Sequence, residues 1–383
     1  MPTRPEKHFS PAKNWINDPN GLIYHGGFYH LYFQHNPFEN KWGHISWGHA
    51  RSKDLITWDE LPVAINEQST HAIFSGSAIF DAENNRIAAF YTAASEGKQS
   101  QWVCFSNDGG YTYQNHQEVL DLGLKDFRDP KVFKYQDHWI MVAVKSTEFL
   151  ISIFKSKDLI NWVHLSDYQM PGVEDLYECP DLFQLNGKWV MFLSTNPGGA
   201  AGGSGMRYVI GDFNGREFKE SSPVEYLDFG PDYYAAVTYN DAPDRISIGW
   251  MNNWEYANDP EFAVSKPWNG TMTAARKLQI VDGKLRQTLI GKTKKFEIPE
   301  NQSFEFQYSN GAIKFNRKAE KLVIDRSELW HHQITKFEVP ISGPISLEAL
   351  FDSGSLELSV NGQMVTSQLE VSDQVPYLRL IKA

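Results

Sequence analysis

Phe28-Tyr-His-Leu-Tyr-Phe-Gln34 is a short run dense in aromatic and apolar side chains, and similar runs return four more times. They are Arg86-Ile-Ala-Ala-Phe-Tyr-Thr92, His138-Trp-Ile-Met-Val-Ala-Val144, Lys188-Trp-Val-Met-Phe-Leu-Ser194 and Arg245-Ile-Ser-Ile-Gly-Trp-Met251. Successive starts at 28, 86, 138, 188 and 245 lie between 50 and 58 residues apart. Each follows turn formers: His25-Gly-Gly27, Asp81-Ala-Glu-Asn-Asn85, Tyr135-Gln-Asp137, Asn186-Gly187 and Asp241-Ala-Pro-Asp244. A run entered from such a turn reads as the second strand of a hairpin.

A second element interleaves with the first. Ser52-Lys-Asp-Leu-Ile-Thr-Trp58 is nearly repeated as Ser156-Lys-Asp-Leu-Ile-Asn-Trp162, with weaker copies at Ser106-Asn-Asp-Gly-Gly-Tyr111 and Asp212-Phe-Asn-Gly-Arg-Glu-Phe218. Asp54, Asp108, Asp158 and Asn214 keep the same period, as expected of a turn between outer strands. Helical periodicity is nearly absent, so the chain is all-β. Several strands per repeat of about 50 residues are the pattern of a β-propeller blade. Five copies predict a five-bladed propeller over residues 1–290. A lone β-sandwich is the alternative, but it does not predict two interleaved repeats of one period. Residues 291–383 carry no copy. Alternating stretches such as Leu356-Glu-Leu-Ser-Val360, followed by Asn361-Gly362, predict a small β-sandwich domain there.

The bulk numbers narrow the function. A length of 383 residues accommodates two domains. The formal charge of −11, with no basic run, argues against nucleic acid as a partner. A neutral substrate suits this charge better than an anionic one. No apolar stretch is long enough to span a membrane. The first residues lack the apolar segment of a secretory signal, and Cys104 and Cys179 lie far apart. A cytoplasmic protein without disulfides is therefore the expectation. Self-association is not specified by the sequence.

The inner strand of each blade should lie about ten residues before the second. The stretches there are Asn17-Asp-Pro-Asn-Gly-Leu-Ile23, Phe74-Ser-Gly-Ser-Ala-Ile79, Arg128-Asp-Pro-Lys-Val-Phe133, Glu178-Cys-Pro-Asp-Leu-Phe183 and Asp232-Tyr-Tyr-Ala-Ala-Val237. Inner strands line the axial channel, so Asp18, Ser75, Asp129, Glu178 and either Asp232 or Tyr233 are expected to face one another. Singly, each motif is as well explained by a turn. Together they gather three carboxyls at one point, which costs repulsion that a purely structural site would avoid. Glycoside cleavage needs such a set: one carboxylate attacks the anomeric carbon and a carboxylic acid protonates the departing oxygen. Repulsion from Asp18 and Asp129 is expected to favour the protonated form of Glu178. Arg128 is a charged donor beside Asp129. Trp42 and Trp47 are candidate sugar platforms or core residues. His30, His35, His44 and His49 match no zinc spacing. Cys179 reads as a small strand residue, since no matching His/Asn arrangement would make it a nucleophile.

At these residues the chain resembles glycoside hydrolase family 32, the invertase, inulinase and levanase group. The resemblance is carried by His8-Phe-Ser-Pro-Ala-Lys-Asn-Trp-Ile-Asn-Asp-Pro-Asn-Gly21, Gln34-His-Asn-Pro37, Trp42-Gly-His-Ile-Ser-Trp-Gly-His49, Phe74-Ser-Gly-Ser77, Arg128-Asp-Pro130 and Glu178-Cys-Pro-Asp181. It continues through Gly202-Gly-Ser-Gly-Met-Arg-Tyr208 and Gly249-Trp-Met-Asn-Asn-Trp-Glu-Tyr-Ala257. It implies a five-bladed propeller followed by a β-sandwich, and a retaining mechanism through a covalent fructosyl intermediate. It assigns Asp18 as nucleophile, Glu178 as acid/base and Asp129 as transition-state stabiliser. Sugar contacts would fall on Asn17, Gln34, Trp42, Phe74, Ser75, Arg128 and Trp254. No cofactor or metal is implied. The wording is most similar to exo-acting levanases and inulinases, which makes sucrose, fructo-oligosaccharides, inulin and levan the expected substrates. Two features depart from the family pattern: Ile16 stands where Met is usual, and the tail is shorter than the usual sandwich. Transfer of fructose to another sugar, or sugar binding without catalysis, are the competing readings.

Overall fold

A computed structural model describes residues 4–259, 266–300, 302–371 and 375–381. Five antiparallel sheets follow one another along the chain. Sheet I is Asn14–His25, Phe28–Asn36, Ser46–Ser52 and Trp58–Ile65. Sheet II is Ala72–Asp81, Arg86–Ser95, Lys98–Ser106 and Gln114–Leu120, and sheet III is Phe127–Tyr135, His138–Lys145, Leu150–Ser156 and Val163–Tyr168. Sheet IV is Leu176–Leu185, Lys188–Asn196, Gly205–Phe213 and Phe218–Glu220, with Glu225–Tyr226 also paired to its third strand. Sheet V is Tyr234–Thr238, Ile246–Trp250, Arg276–Val281 and Lys284–Leu289. The first strand of each sheet lies against the first strands of the sheets before and after it, including sheet V against sheet I. That ring of inner strands makes the five sheets the blades of a propeller.

The repeated motifs do what their spacing foretells. The second strands begin at Phe28, Arg86, His138, Lys188 and Ile246. Asp54 accepts from the amides of Ile56 and Thr57, Asp158 from those of Ile160 and Asn161, and Asn214 from those of Arg216 and Glu217. Each is a side chain closing the turn between outer strands. Neighbouring blades pack face to face. Ile79, Phe90 and Val103 of blade II meet Val132, Met141 and Phe154 of blade III in one buried cluster. Each such side chain contributes about 1.5–3 kcal/mol through burial. The ring is closed by the N-terminal segment, where Trp15 pairs in parallel with Asn269 and the Met272 amide donates to the Phe9 carbonyl.

The tail forms two further sheets. One runs Lys294–Ile298, Ile345–Asp352, Ser355–Val360, Gln363–Gln368, and the other Lys336–Pro340, Lys321–Asp325, Gly311–Lys318, Ser303–Tyr308, Tyr377–Ile381. Phe304, Phe306 and Ile324 of one sheet share a core with Leu347, Phe351 and Leu358 of the other, so they form a sandwich. Asn361 and Gly362 both take positive φ, 51° and 84°, in the hairpin between two of these strands.

The sandwich is joined to blade V by a polar seam. The Phe229 and Asp232 amides donate to the Met364 and Thr366 carbonyls. Arg276 pairs with Glu357 at 2.7 Å and Asp228 at 2.9 Å, all three buried. Arg326 pairs with Asp232 at 2.6 Å, and His8 lies 2.9 Å from both Asp352 and Glu357.

Candidate active site

Every inner strand carries a register shift near one end. The shifts fall between Ile16 and Pro19, Ile73 and Gly76, Arg128 and Lys131, Glu178 and Asp181, and Tyr234 and Val237. These β-bulges re-aim side chains at equivalent points of the five blades. Asp18, Ser75, Asp129, Cys179 and Ala235 fall within them. Three take positive φ: Asp129 at 63°, Cys179 at 46° and Ala235 at 52°. Such a conformation is unfavourable for side chains larger than glycine, and its recurrence marks a level of the channel built under strain.

The carboxyls meet across this level. Ser75 donates its hydroxyl to Asp18 Oδ2 at 2.6 Å, the Gln34 amide to the same oxygen at 3.2 Å, and the Asn17 amide to Oδ1 at 3.1 Å. Asn17 is itself fixed by the Trp15 indole N–H at 2.7 Å. Asp129 Oδ2 accepts the Cys179 amide at 2.9 Å. The Cys179 Sγ stands 3.6 Å from Asp18 Oδ2 and 3.7 Å from Asp129 Oδ2, so it is wedged between the two acids. Arg128 Nη2 lies 3.4 Å from Glu178 Oε1, and the Tyr234 hydroxyl donates to Glu178 Oε2.

Sequence spacing placed Glu178 level with Asp18 and Asp129. The strand register sets it one residue earlier, level with Arg128 and Tyr234, and gives Cys179 the level of Asp129. Glu178 is accordingly the more open acid: its side chain is 21% exposed, that of Asp129 only 6%. Asp232 and Tyr233 do not face the channel acids. Asp232 is buried at the seam against Arg326, and the Tyr233 ring lies under the Arg276 guanidinium, 3.9 Å from its centroid. Tyr234 is the blade V residue at the site. Lining up the bulges, rather than the prolines, would have found it.

Burial and mutual repulsion act on Asp18 and Asp129. Asp18 is pushed up to about 6, first by burial and then by Glu178, against the pull of its hydrogen bonds. Asp129 is pushed up to about 7 by burial, with Arg128 opposing and Glu178 and Asp18 adding to the rise. Burial also pushes the Cys179 thiol well up, which holds it as an uncharged spacer.

The other candidates separate by depth. Trp42 is 44% exposed and meets the half-buried Phe74 edge-on at 5.9 Å, forming a rim. Trp254 packs on Trp15 at 6.0 Å and Trp250 at 4.9 Å, and its amide donates to Ser204. Trp47 is fully buried and donates its indole N–H to the Phe74 carbonyl, so it is core and cannot stack on a sugar. His30 and His49 stack against each other and Tyr32 in the blade I core, while His44 pairs with Glu67 at the surface.

Below the acids the channel is filled. Lys131 of blade III reaches Asp181 at 3.1 Å and the Thr238 carbonyl of blade V at 2.5 Å. One layer further, Asn240 of blade V donates to the Ala78 and Val132 carbonyls of blades II and III. The bonds to Thr238, Ala78 and Val132 join non-adjacent blades across the axis. The acids therefore sit above two layers of hydrogen bonds that tie the blades together across the axis.

The family model described as the glycosyl hydrolases family 32 N-terminal domain matches residues 8–289. The chain belongs to glycosyl hydrolase family 32. A levanase of Bacillus subtilis is 35% identical over 97% of this chain and 67% of its own length. An extracellular exo-inulinase of Meyerozyma guilliermondii is 36% identical over 73% of this chain and 59% of its own. The chain spans between 53% and 67% of the length of the curated relatives it matches. Among solved structures, the exo-inulinase from Aspergillus awamori superposes with a TM-score of 0.87 at 28% identity, covering 100% of this chain and 96% of that one. A fructofuranosidase from Schwanniomyces occidentalis complexed with fructosylnystose superposes with a TM-score of 0.85 at 30% identity, covering 99% and 94%. Both likenesses include the sandwich of this family 32 chain.

Proposed function

We propose that this family 32 chain is an exo-acting β-fructosidase. It hydrolyses terminal β-D-fructofuranosyl residues of sucrose, fructo-oligosaccharides, inulin and levan with retention of configuration. The observation that carries the reading is an excess of acid at one level of the channel, with Asp129 and Glu178 sharing the Arg128 guanidinium with Asp126 while Asp18 beside them has uncharged donors. The names of the relatives, levanase, exo-inulinase and invertase, support fructose as the sugar.

Asp18 is the nucleophile. Its three donors fix the carboxylate while one oxygen bonds to the anomeric carbon and the glycosidic C–O bond breaks. Glu178, nearer the mouth, gives its proton to the departing oxygen. It then takes a proton from water, whose oxygen displaces Asp18 from the anomeric carbon. Two inversions return the original configuration. Asp129, held by the Cys179 amide, faces the positive charge that develops on the sugar and accepts its hydroxyls. The exo-inulinases among the relatives support exo action, and the bonds across the channel below the acids leave a chain end to enter from above. Trp42 and Phe74 at the rim supply faces for the sugar beyond the cleaved bond.

A product time course on sucrose, kestose, inulin and levan tests the reading. Fructose as the sole early product from the polymers is expected. Early release of internal oligosaccharides would overturn exo action, and oligosaccharides longer than the substrate would make transfer the main reaction.

A further inference from the structure

The sandwich lies outside the blades, yet one of its side chains is tied to both flanks of the site. We infer that Arg326 is a positioning residue of the active site, acting through Asp232 and Tyr256. The inference rests on the hydrolytic reading above.

Arg326 is fully buried. Its Nη1 donates to Asp232 Oδ2 at 2.6 Å and its Nη2 to the Tyr256 hydroxyl at 3.2 Å. Tyr256 in turn donates its hydroxyl to Asp232 Oδ1, so the three groups close a triangle. The guanidinium is held from its own side by the Ile334 and Gln368 carbonyls at 2.9 and 3.1 Å. Asp232 receives the Gln368 amide as well, at 2.8 Å. A planar fork with several fixed acceptors has one orientation, which a lysine ammonium would not impose.

Two segments leave this triangle for the site. Asp232-Tyr233-Tyr234 leads into the blade V inner strand, and the Tyr234 hydroxyl ends on Glu178. Tyr256 closes a turn back to the Asn253 carbonyl at 3.2 Å, and Trp254 and Glu255 are the two residues inside that turn. Trp254 lies on Trp15, which holds Asn17, which holds Asp18. The sandwich thus fixes the partner of the proposed acid/base and the ring behind the proposed nucleophile. A clamp with no bearing on the site would need neither segment.

The test uses Arg326→Gln and Arg326→Lys in the full chain, with folding verified by circular dichroism and assays run well below each melting temperature. Arg326→Gln is expected to lower kcat/KM on kestose by about 10- to 100-fold, with kcat falling more than KM rises. Arg326→Lys should recover part of the loss. In double-mutant cycles the effect should be far less than multiplicative with Tyr234→Phe and Trp254→Ala, and multiplicative with Trp42→Ala, whose ring meets Phe74 and has no part in either segment. Unchanged kinetics in folded Arg326→Gln, or multiplicative effects with all three partners, would overturn the inference. If Arg326→Gln does not fold, Tyr256→Phe removes one corner of the triangle and should give the same pattern. Wild-type protein that releases no fructose would sink the hydrolytic reading instead. The positioning claim is then read from near-ultraviolet circular dichroism: Tyr256 and Trp330 touch Arg326 directly and respond in any background, so the change caused by Arg326→Gln must be smaller in Trp254→Ala than in the wild-type protein, and an equal change overturns it.

Discussion

The centre of the propeller and its seam with the sandwich both bury carboxyl groups, and they balance them differently. At the seam every buried acid faces a cation: Asp228 and Glu357 share Arg276, Asp232 meets Arg326, and Asp352 and Glu357 grip His8. His8 is pushed up to about 9, because its two carboxylate partners outweigh the downward pull of burial. Asp352 is held down to about 2 against its own burial, chiefly by His8. At the centre Arg128 pairs with Asp126, Asp129 and Glu178, while Asp18 is held by the uncharged donors Ser75, Gln34 and Asn17. Asp18 and Asp129 are pushed up, as burial also pushes up Asp228 at the seam against the pull of Arg276. A fold keeps buried acids for stability only when they are paired. Acids kept in excess of their partners, at strained backbone, point to chemistry. The two regions should therefore respond in opposite ways to the loss of a charge.

The largest contrast is expected from Glu178→Gln, which removes the proton carrier and should lower fructose release by about 10³-fold or more. Its melting temperature should stay near that of the wild type. Arg276→Met does the reverse. It strands Asp228 without its cation, leaves Glu357 with His8 alone, and should cost about 3–5 kcal/mol in denaturant unfolding. A third effect separates the regions by pH. His8 has its folded value raised above the ordinary 6.5 to about 9. Its stabilisation is then complete below 6.5 and disappears as pH rises through about 9, a loss of roughly 3 kcal/mol that His8→Gln should abolish. The smallest effect is on the rate. Asp18 must be ionised to attack and Asp129 to face the developing charge, so kcat/KM should begin to fall below about 7 and drop at least about tenfold per pH unit below about 6 as the acids take up protons. A limb near the ordinary carboxylate value would mean that burial and Glu178 do not act on Asp18.

Much of the fold was legible because its signals are local. A hairpin second strand announces itself by a turn and an apolar run, and a side-chain-capped turn by Asp54 or Asp158. The level of each side chain in the channel was not legible. Bulges are set by pairing with the neighbouring strand, so Glu178 was aligned with Asp129 although Cys179 holds that level, and Tyr234 was passed over for Asp232 or Tyr233. Burial of Trp47 depends on blade packing that no single strand reveals. The seam was invisible for the same reason: Asp232 and Arg326 lie 94 residues apart. The blade repeat singles out Asp18, Ser75, Asp129 and Glu178, the family resemblance supplies their roles and the sugar contacts, and the geometry adds which of them touch.

One variant compares both properties in a single protein. In Asp18→Asn the nucleophile is gone, and so is a carboxyl whose folded value of about 6 exceeds its ordinary 3.8. An acid raised in this way destabilises the fold increasingly as pH rises from about 4 to 6 and fully above that range, so its removal should stabilise by roughly 1–3 kcal/mol at pH 7. Fructose release and unfolding free energy, measured on the same preparation of Asp18→Asn, test the central claim. A loss of activity of at least about 10³-fold with stability equal to or above wild type is the predicted result; near-normal turnover, or inactivity accompanied by a marked loss of stability, would contradict it.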